Sequence, residues 1–417
     1  MIIRNYCKKI NGFSREVKIL ACSTFINRAG AMVVPFLSKY MFEELHFSYG
    51  QIGWVMVCLG FGSLIGTWIS GKLSDRLGYY KVMVFSLLCS GIVFIILEFL
   101  STFYSFCTGV LLLTVISDMY RPAMLLSLSS YSRREERTQA LALIRSSINL
   151  GYIFSPLLGG LLISLLNYKY LFVVDGSTCI ISALLFLFLV KEKKLPYRLR
   201  HFNNLKEKIT IFQDRPFIFH LVVTMLTGFL FFQIFTTLPL YYKEIFNFSS
   251  FQSGLFLGLS GLMVFLFELP IVQYAESKNI SKLHLIASGI FLMAVSYLLL
   301  LIENCIISLV AMIVLMTVGV MLTFPFANSF AKKRALKKIE GRFMAAFSMS
   351  YSIAQMLSTK IGMEITANYG FRANWLVLSC IGISGSFLCC SLNVFVKKEE
   401  EEIRCKIIKS IFSIPNK

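Results

Sequence analysis

Long apolar blocks separated by short polar stretches run along almost the whole chain. Each block reaches about 20 residues or more, the length at which a helix rising 1.5 Å per residue crosses a hydrocarbon core of about 30 Å. The pattern therefore predicts an all-α membrane protein with twelve transmembrane helices. The predicted spans are 17–42, 49–71, 82–101, 104–130, 139–167, 170–190, 216–242, 251–275, 283–302, 305–330, 342–368 and 373–396.

The second and eighth predicted spans begin with the same short phrase. FSYGQIG starts at Phe47 and FSSFQSG starts at Phe248, 201 residues later. In each copy a Ser precedes a Gln by three residues, which predicts a capping box at the start of a helix. Other pairs keep nearly the same spacing, since PFLSK and PLYYK are 204 residues apart and Pro122 and Pro325 are 203 apart. The chain therefore contains an internal repeat.

The repeat predicts two pseudo-symmetric six-helix bundles. Parallel halves related by an axis along the membrane normal, with a binding site between them, are one known plan of transporters. The predicted domains are an N-terminal bundle, a cytoplasmic linker, a C-terminal bundle and a cytoplasmic tail, over residues 1–190, 191–215, 216–396 and 397–417.

Composition and charge support the membrane assignment. The chain is 56% hydrophobic and only 15% charged, with a mean hydropathy of +0.71. Of the 41 Lys and Arg residues, 33 lie in the termini, in the loops that the spans place on the same side, or at the first two residues of a span next to them. This asymmetry is the positive-inside pattern and predicts that both termini are cytoplasmic. The net charge of +19 is thus explained by topology, and no nucleic-acid partner is expected.

The residue types that carry enzyme chemistry are not arranged for it. Nine of the eleven Cys fall inside predicted spans, where they are expected to serve as small packing residues. The four His and the Cys show no metal-ligand spacing, and no His lies near a Ser and Asp pair. We therefore expect neither an enzyme, nor a metal site, nor a cofactor.

The loop between the second and third predicted spans, 71–81, reads GKLSDRLGYYK. It resembles the hallmark loop of the major facilitator superfamily, roughly G-x-L-x-D-R-x-G-R-R. Tyr79 and Tyr80 stand where basic residues are usual in that family. The matching positions are Gly71, Asp75, Arg76 and Gly78.

The fifth predicted span contains NLGYIFSPLLGG, which resembles the antiporter motif G-x-x-x-G-P-x-x-G-G with Ser155 in place of the second Gly. YRPA in the fourth span and EGRFM before the eleventh also resemble the twelve-helix drug:proton antiporter branch. The resemblance implies a flexible seam between the fifth and eighth helices, and close packing without gating is the alternative. The motif residues are Gly151, Pro156, Gly159 and Gly160.

The resemblance also implies that the 71–81 loop latches the outward-facing state. Asp75 stands where a carboxylate could cap a neighbouring helix and pair with an Arg at the cytoplasmic end of the fourth helix. The alternative is a tight turn that needs only Gly78. The corresponding loop of the second half, YAESKNISK, lacks the pattern, so the latch is predicted on one side only.

Ionisable residues inside spans are the candidate substrate or proton pathway, because charge at membrane depth usually faces a cavity or a partner. Arg28, Arg121 and Arg145 are predicted to lie at comparable depth and to face one chamber. Only Asp118 is expected to offset them in the first half. A positive balance favours an acidic or zwitterionic substrate over a purely cationic one.

Two pairs are predicted from helical spacing. Asp118 and Arg121 are three residues apart, and Lys360 and Glu364 are four apart, so each pair shares a helix face. Glu268 has no obvious local partner in the sequence, and a buried, unpaired Glu would suit a proton carrier. The alternative is that these groups form structural ion pairs or that Glu268 lies near the membrane surface.

Relatives of this pattern often carry an acidic residue in the tenth span, where this chain has Val320. Proton coupling would then depend on Asp118, Glu268 or Glu364. Polar and aromatic residues at similar places in the two halves are further candidates for the pathway, with core packing as the alternative for the aromatic one. These are Asn27, Gln233, Phe324 and Gln355.

The sequence thus predicts a secondary transporter that works by rocker-switch alternating access. The leading hypothesis is proton-coupled export of a small organic molecule such as a drug, a metabolite or a siderophore-like compound. One alternative is an importer or exchanger of an anionic metabolite, and another is a non-transporting membrane receptor on the same fold. The expected partners are the substrate, protons and membrane lipid, with the protein a monomer in the cell (inner) membrane.

Overall fold

A computed structural model describes residues 13–132, 137–193, 214–302, 305–335 and 340–412, and the regular structure in these ranges is helical. The first eight helices are α1 (Arg15–Ala29), α2 (Val33–Glu43), α3 (Tyr49–Leu77), α4 (Tyr79–Leu97), α5 (Phe103–Ser117), α6 (Tyr120–Tyr131), α7 (Arg137–Leu165) and α8 (Lys169–Leu189). The next six are α9 (Arg215–Phe232), α10 (Thr237–Phe246), α11 (Ser250–Ser277), α12 (Lys282–Leu299), α13 (Ile306–Arg334) and α14 (Glu340–Phe412).

The repeated phrase marks two helix starts of the same design. The Ser48 hydroxyl accepts a hydrogen bond from the Gln51 amide at 3.3 Å, and the Gln51 side chain accepts one from the Ser48 amide at 2.9 Å. Ser249 and Gln252 make the same two bonds at 3.2 and 2.8 Å. Both predicted capping boxes are therefore confirmed, and each satisfies two amides that a helix start leaves free.

The membrane-crossing pattern is also confirmed in its main lines. The described residues contain eleven segments long and apolar enough to cross a bilayer, and ten of them match predicted spans one to one. The eleventh covers 57 residues, Phe343–Glu399, which at 1.5 Å per residue is about 85 Å and far longer than a bilayer core of about 30 Å. It is interrupted at Gly370, where φ is 79°, between the last two predicted spans. The count of twelve stays a prediction.

Three spans that were predicted as continuous helices are broken. The first is interrupted at Gly30–Met32 between α1 and α2, the fourth at 118–119 between α5 and α6, and the seventh at 233–236 between α9 and α10. The first and third breaks lie at the same place in the repeat, since residues 30 and 233 are 203 apart. A helix break leaves backbone amides and carbonyls without their helical partners. At membrane depth, other groups of the protein must form hydrogen bonds with them, and side chains are the first candidates.

The chain forms two compact units. Unit 1 contains the described residues of the first 193 together with Phe232–Leu266 and Gln355–Asn374, whereas unit 2 contains 214–231, Phe267–Ala354 and the described residues from Trp375 onward. In unit 1 the Tyr40 ring packs edge-on against Phe172, with 5.0 Å between centroids. In unit 2 the fully buried rings of Tyr297 and Trp375 stack at 5.6 Å. Each unit thus has an aromatic core of its own.

Candidate functional site

Two of the helix breaks in unit 1 carry opposite charges. Arg28 lies in the last turn of α1, just before the first break, and Asp118 is the residue that ends α5 at the second. Arg28 and Asp118 lie near enough for their charges to interact. The guanidinium nitrogens of Arg28 nevertheless lie more than 4.0 Å from the carboxylate oxygens of Asp118. Neither side chain forms a hydrogen bond or an ion pair with another described residue.

The surroundings of Arg28 are aromatic and polar. Its guanidinium carbon lies 6.0 Å from the centre of the Tyr152 ring, a cation–π distance, and its Nε is buried without a hydrogen-bond partner. Asn27 donates to the sulfur of Cys179 at 3.1 Å. A Cβ on Gly151 would lie 2.4 Å from Cβ of Arg28, so this motif glycine allows α7 to approach the Arg28 backbone.

The predicted pair between Asp118 and Arg121 is not formed. The prediction assumed one continuous helix, but α5 ends at Ser117 and α6 begins at Tyr120, so the three-residue spacing no longer places the two side chains on one face. Arg121 and Arg145 are exposed, and Arg28 is partly buried. That the three arginines share a chamber stays a prediction.

Asp175 is the residue that the sequence analysis missed. Its side chain is 1% exposed, and its two carboxylate oxygens accept hydrogen bonds from the amides of Met32 at 2.8 Å and Val33 at 3.1 Å. A carboxylate at the start of α2 is also favoured by the helix dipole. The first half therefore holds a further acidic residue inside its spans. The expectation that Asp118 alone stands against three arginines is corrected to include Asp175. The signal was present, because Asp175 is the one acidic residue in the predicted span 170–190.

The break of the seventh span is held by Gln233, a predicted pathway residue. Its amide nitrogen donates to the carbonyl of Ser358 at 2.7 Å, and its amide oxygen accepts from the hydroxyl of Thr237 and from Asn374 at 3.4 Å. Gln233 is fully buried. Because these bonds occupy its amide, Gln233 acts first as a structural residue. Gln355 is partly buried and its side chain bonds to no other described residue.

The remaining in-span ionisable residues have partners. Lys360 forms the predicted ion pair with Glu364, and its ammonium lies 4.7 Å from the centre of the Trp54 ring. Glu268 is partly buried and interacts with another residue, so it is not the unpaired acid that a proton carrier was expected to be. Phe324 stacks on Tyr351 at 5.2 Å, as packing alone would predict.

The glycine motif of α7 lies against α11 at its C-terminal end. A Cβ on Gly160 would meet the carbonyl oxygen of Ser250 at 2.6 Å, and one on Gly254 would meet that of Pro156 at 2.3 Å. Gly159 instead faces Met32 of the first span at 3.1 Å. The expected approach of the fifth and eighth helices is therefore present, and a gating role for it stays a prediction.

The hallmark loop forms a sharp turn between α3 and α4. Gly78 has φ 89°, a conformation that side chains rarely adopt, whereas a Cβ on Gly71 would touch nothing within 4 Å. Arg76 is exposed, and the side chain of Asp75 lies outside the described residues, so the latch stays a prediction. Tyr79, in the place of a usual basic residue, donates its hydroxyl to the carbonyl of Lys193 at 2.6 Å.

A second polar cluster of unit 1 joins segments from both copies of the repeat. We call it the Lys39 cluster, and it consists of Lys39, Glu43, Tyr168, Lys243 and Ser250. The Lys39 side chain is only 1% exposed, and its ammonium donates to the hydroxyl of Ser250 at 3.0 Å and to the carbonyl of Phe248 at 3.4 Å. Lys39 and Lys243 are the repeated lysines of PFLSK and PLYYK.

The other members complete the Lys39 cluster. Glu43 pairs with Lys243 at 3.0 Å and accepts a hydrogen bond from the Tyr168 hydroxyl, which also lies 3.1 Å from the Ser250 hydroxyl. Burial and the bond to Glu43 raise the pKa of Tyr168, so the hydroxyl stays protonated. The cluster ties α2, the turn before α8, α10 and the start of α11 together.

Residues 20–359 match the family model described as Major Facilitator Superfamily. A Na(+), Li(+), K(+)/H(+) antiporter of Planococcus maritimus is 24% identical, over 91% of this chain and 96% of that protein. The multidrug resistance protein MdtG of Escherichia coli O9:H4 (strain HS) is 25% identical, over 84% of this chain and 87% of that one.

Solved structures share the fold. A POT family transporter in complex with a thioalcohol-conjugated peptide has a TM-score of 0.78 at 17% identity, over 92% of this chain and 96% of that chain. The nucleoside transporter NupG has a TM-score of 0.71 at 16% identity, over 91% and 99%.

Proposed function

The chain belongs to the Major Facilitator Superfamily, a family of transporters rather than enzymes, and on that premise we propose that it exports a small organic molecule in exchange for protons. It is a multi-pass membrane protein with a cation/proton antiporter and a multidrug resistance protein among its relatives. The proposal adds the direction of transport, the coupling to protons and the location in the cell (inner) membrane with both termini in the cytoplasm.

The Lys39 cluster is the observation that best supports a mechanism of alternating access. It binds α2 of the first repeat to α10 and α11 of the second through a lysine that is 1% exposed. A buried ammonium is stable only while its hydrogen bonds last, so separating these segments would require Lys39 to be rehydrated. Positive-inside topology puts this cluster on the non-cytoplasmic side. We infer that it closes that side of the transporter.

The same topology supports twelve spans. Gly370 interrupts α14 inside a segment too long for one crossing, and Arg372 follows it directly. We propose that the chain turns there on the non-cytoplasmic side, which gives an even number of crossings and leaves the C-terminus with the N-terminus. Two six-helix bundles would then follow from the repeat.

Asp118 is the carboxylate that we propose as the proton carrier. Glu364 is paired with Lys360, Glu268 interacts with another residue, and the oxygens of Asp175 are taken by two amides. Asp118 has no such partner among the described residues, and its charge interacts with that of Arg28 without a fixed ion pair between them.

Import or exchange of an anionic metabolite is the second candidate. It is favoured by Arg28, whose buried Nε has no hydrogen-bond partner. The acidic residue Asp118 in the same unit reduces the positive balance on which that candidate depends.

The test is proton flux in proteoliposomes that contain a pH-sensitive dye. An outward-directed load of tetraphenylphosphonium, benzoate, 4-(aminomethyl)benzoic acid, Na⁺ or K⁺ is added in turn under an imposed pH gradient, with empty liposomes as the control. We expect at least one load to accelerate proton movement, and Asp118→Asn to abolish that acceleration while Glu276→Gln, at an exposed position, retains it. Proton movement that no load alters would refute antiport.

A further inference from the structure

Arg28 and Asp118 carry opposite charges but do not form an ion pair with each other. They interact electrostatically, lie more than 4.0 Å apart, and make no side-chain hydrogen bond or ion pair with other described residues. The other in-span carboxylates differ in this respect, because Asp175 and Glu364 each bind a partner directly.

Both charged residues stand at interruptions of helices. Arg28 precedes the break of the first span, and Asp118 lies in the break of the fourth. Irregular backbone at membrane depth is found where it is buried in protein or lines a cavity, and discontinuous helices of transporters form ligand sites. The half-exposed ring of Tyr152 beside Arg28 adds an aromatic surface that a flat apolar body can cover.

The chemistry of the two side chains defines a complementary ligand. A guanidinium binds a carboxylate through two parallel hydrogen bonds, and an ionised Asp binds an ammonium group. A ligand that binds only Arg28 or only Asp118 leaves the other charge unpaired, which is costly in a buried site. A ligand that carries both an anionic and a cationic group therefore gains the most binding free energy. The sum of the two protein charges is zero, which argues against a simple anion.

We propose that Arg28 and Asp118 together bind a zwitterionic substrate, with its carboxylate on Arg28, its ammonium on Asp118 and an aromatic or apolar body against Tyr152. The proposal rests on the transport function inferred above. It narrows the substrate class from the acidic or zwitterionic compounds that the arginines suggested to the zwitterionic ones.

A matched set of aromatic probes separates the three charge types. 4-(Aminomethyl)benzoic acid is the zwitterion, 4-methylbenzoic acid the anion and 4-methylbenzylamine the cation, all with one ring. Affinity is measured from the dose-dependent rise in the unfolding temperature of the purified, detergent-solubilised full chain, since a ligand that binds only the folded state stabilises it. We expect the zwitterion to bind at least tenfold more tightly than either single ion.

Two variants should shift this preference in opposite directions. Arg28→Lys keeps the charge but loses the two-bond fork, and should weaken zwitterion and anion binding tenfold while leaving the cation unaffected. Asp118→Asn should weaken zwitterion and cation binding and leave the anion unaffected. Arg15→Lys, at the exposed start of the same helix, and Glu276→Gln are the matched controls and should change none of the three.

The outcomes decide the proposal. Equal binding of the anion and the zwitterion by the wild-type protein overturns it, and so does an equal loss of all three probes in both variants, which a purely structural role would produce. If the zwitterion fails to bind while tetraphenylphosphonium still drives proton flux in proteoliposomes, the substrate class is wrong and the transport function stands. If zwitterion binding is selective but no load moves protons, the site stands and proton antiport fails.

Discussion

The breaks of the first and seventh spans occupy the same place in the two repeats but are held by different chemistry. In the first, a carboxylate from another helix, Asp175 of α8, accepts two hydrogen bonds from the start of α2. In the second, the neutral amide of Gln233, at the break itself, binds Ser358 and Thr237. Both side chains are at most 1% exposed.

The difference shows where acidic and basic groups collect. The first break directly follows Arg28, which interacts with Asp118, so an acidic brace and two charged candidate site residues occur in one region. The second break is satisfied by amide and hydroxyl groups. The repeat therefore preserves a backbone interruption, while the side chains around it have diverged into a version with an acid and a version with an amide.

Removing the acidic brace should have the largest effect. Asp175→Ala leaves the amides of Met32 and Val33 buried without an acceptor, at about 1–3 kcal/mol each. We expect a fall in the free energy of unfolding of about 2–6 kcal/mol and a matching loss of folded, monodisperse protein. Asp175→Asn, which keeps one acceptor oxygen, should lose roughly half as much. A wild-type unfolding temperature in Asp175→Ala would show that water or other groups replace the carboxylate.

Removing the neutral brace should cost less. Gln233→Met keeps the volume of the side chain but gives up its bonds to Ser358, Thr237 and Asn374, which are between uncharged groups. We expect a loss of about 1–3 kcal/mol, measured by chemical unfolding in detergent. Gln355→Met, a partly buried Gln on α14, is the control and should remain close to wild type. A loss larger than that of Asp175→Ala would reverse the comparison.

The repeated lysines differ in the same way, because Lys39 is buried and the Lys243 side chain is 44% exposed. Lys39→Met removes two charge-assisted hydrogen bonds, worth about 1.5–3 kcal/mol each, so the balance between closed and open states should move tenfold or more. Lys243→Met removes an exposed ion pair of about 0–1 kcal/mol.

The readout for both lysines is the labelling of a cysteine placed at Ser253, a fully buried position near the Lys39 cluster, in a background without the native cysteines. A membrane-impermeant maleimide should react at least ten times faster in the Lys39→Met variant and less than threefold faster in the Lys243→Met variant. Equal labelling rates in the two variants would show that the Lys39 cluster does not hold the non-cytoplasmic side closed.

Local patterns allowed much of this structure to be predicted. Apolar blocks identified ten spans, and the Ser and Gln spacing identified two capping boxes, because these features depend on residues near in sequence. The Lys360–Glu364 pair followed for the same reason, since one helix turn joins its members. The family resemblance, confirmed by the match over residues 20–359, added the approach of α7 to α11.

The side chains that satisfy the helix breaks could not be predicted in this way. Pro35 in the first turn of α2 marks the first break in the sequence, but the acceptor for the amides of Met32 and Val33 is Asp175, more than 140 residues later. The Asp118–Arg121 pair failed since it relied on helical spacing across another break. Lys39 lies inside the first predicted span, and its burial depends on Ser250 and Phe248 from the other copy of the repeat.

The smallest effect is expected at Gly71, which tests whether the hallmark loop differs from the α7 glycines. Gly71 lies inside α3 with nothing within 4 Å of an added Cβ, so Gly71→Ala removes backbone freedom from the unfolded chain without a clash. We expect a gain in stability of about 0.5–1 kcal/mol. Gly160→Ala is the contrasting variant, because its Cβ would meet the Ser250 carbonyl at 2.6 Å and should destabilise the protein.

If Gly71→Ala is stable but loses proton flux, this glycine must pack closely in another state of the transport cycle, as a latch would require. If both stability and flux are retained, the hallmark loop needs no small residue at position 71.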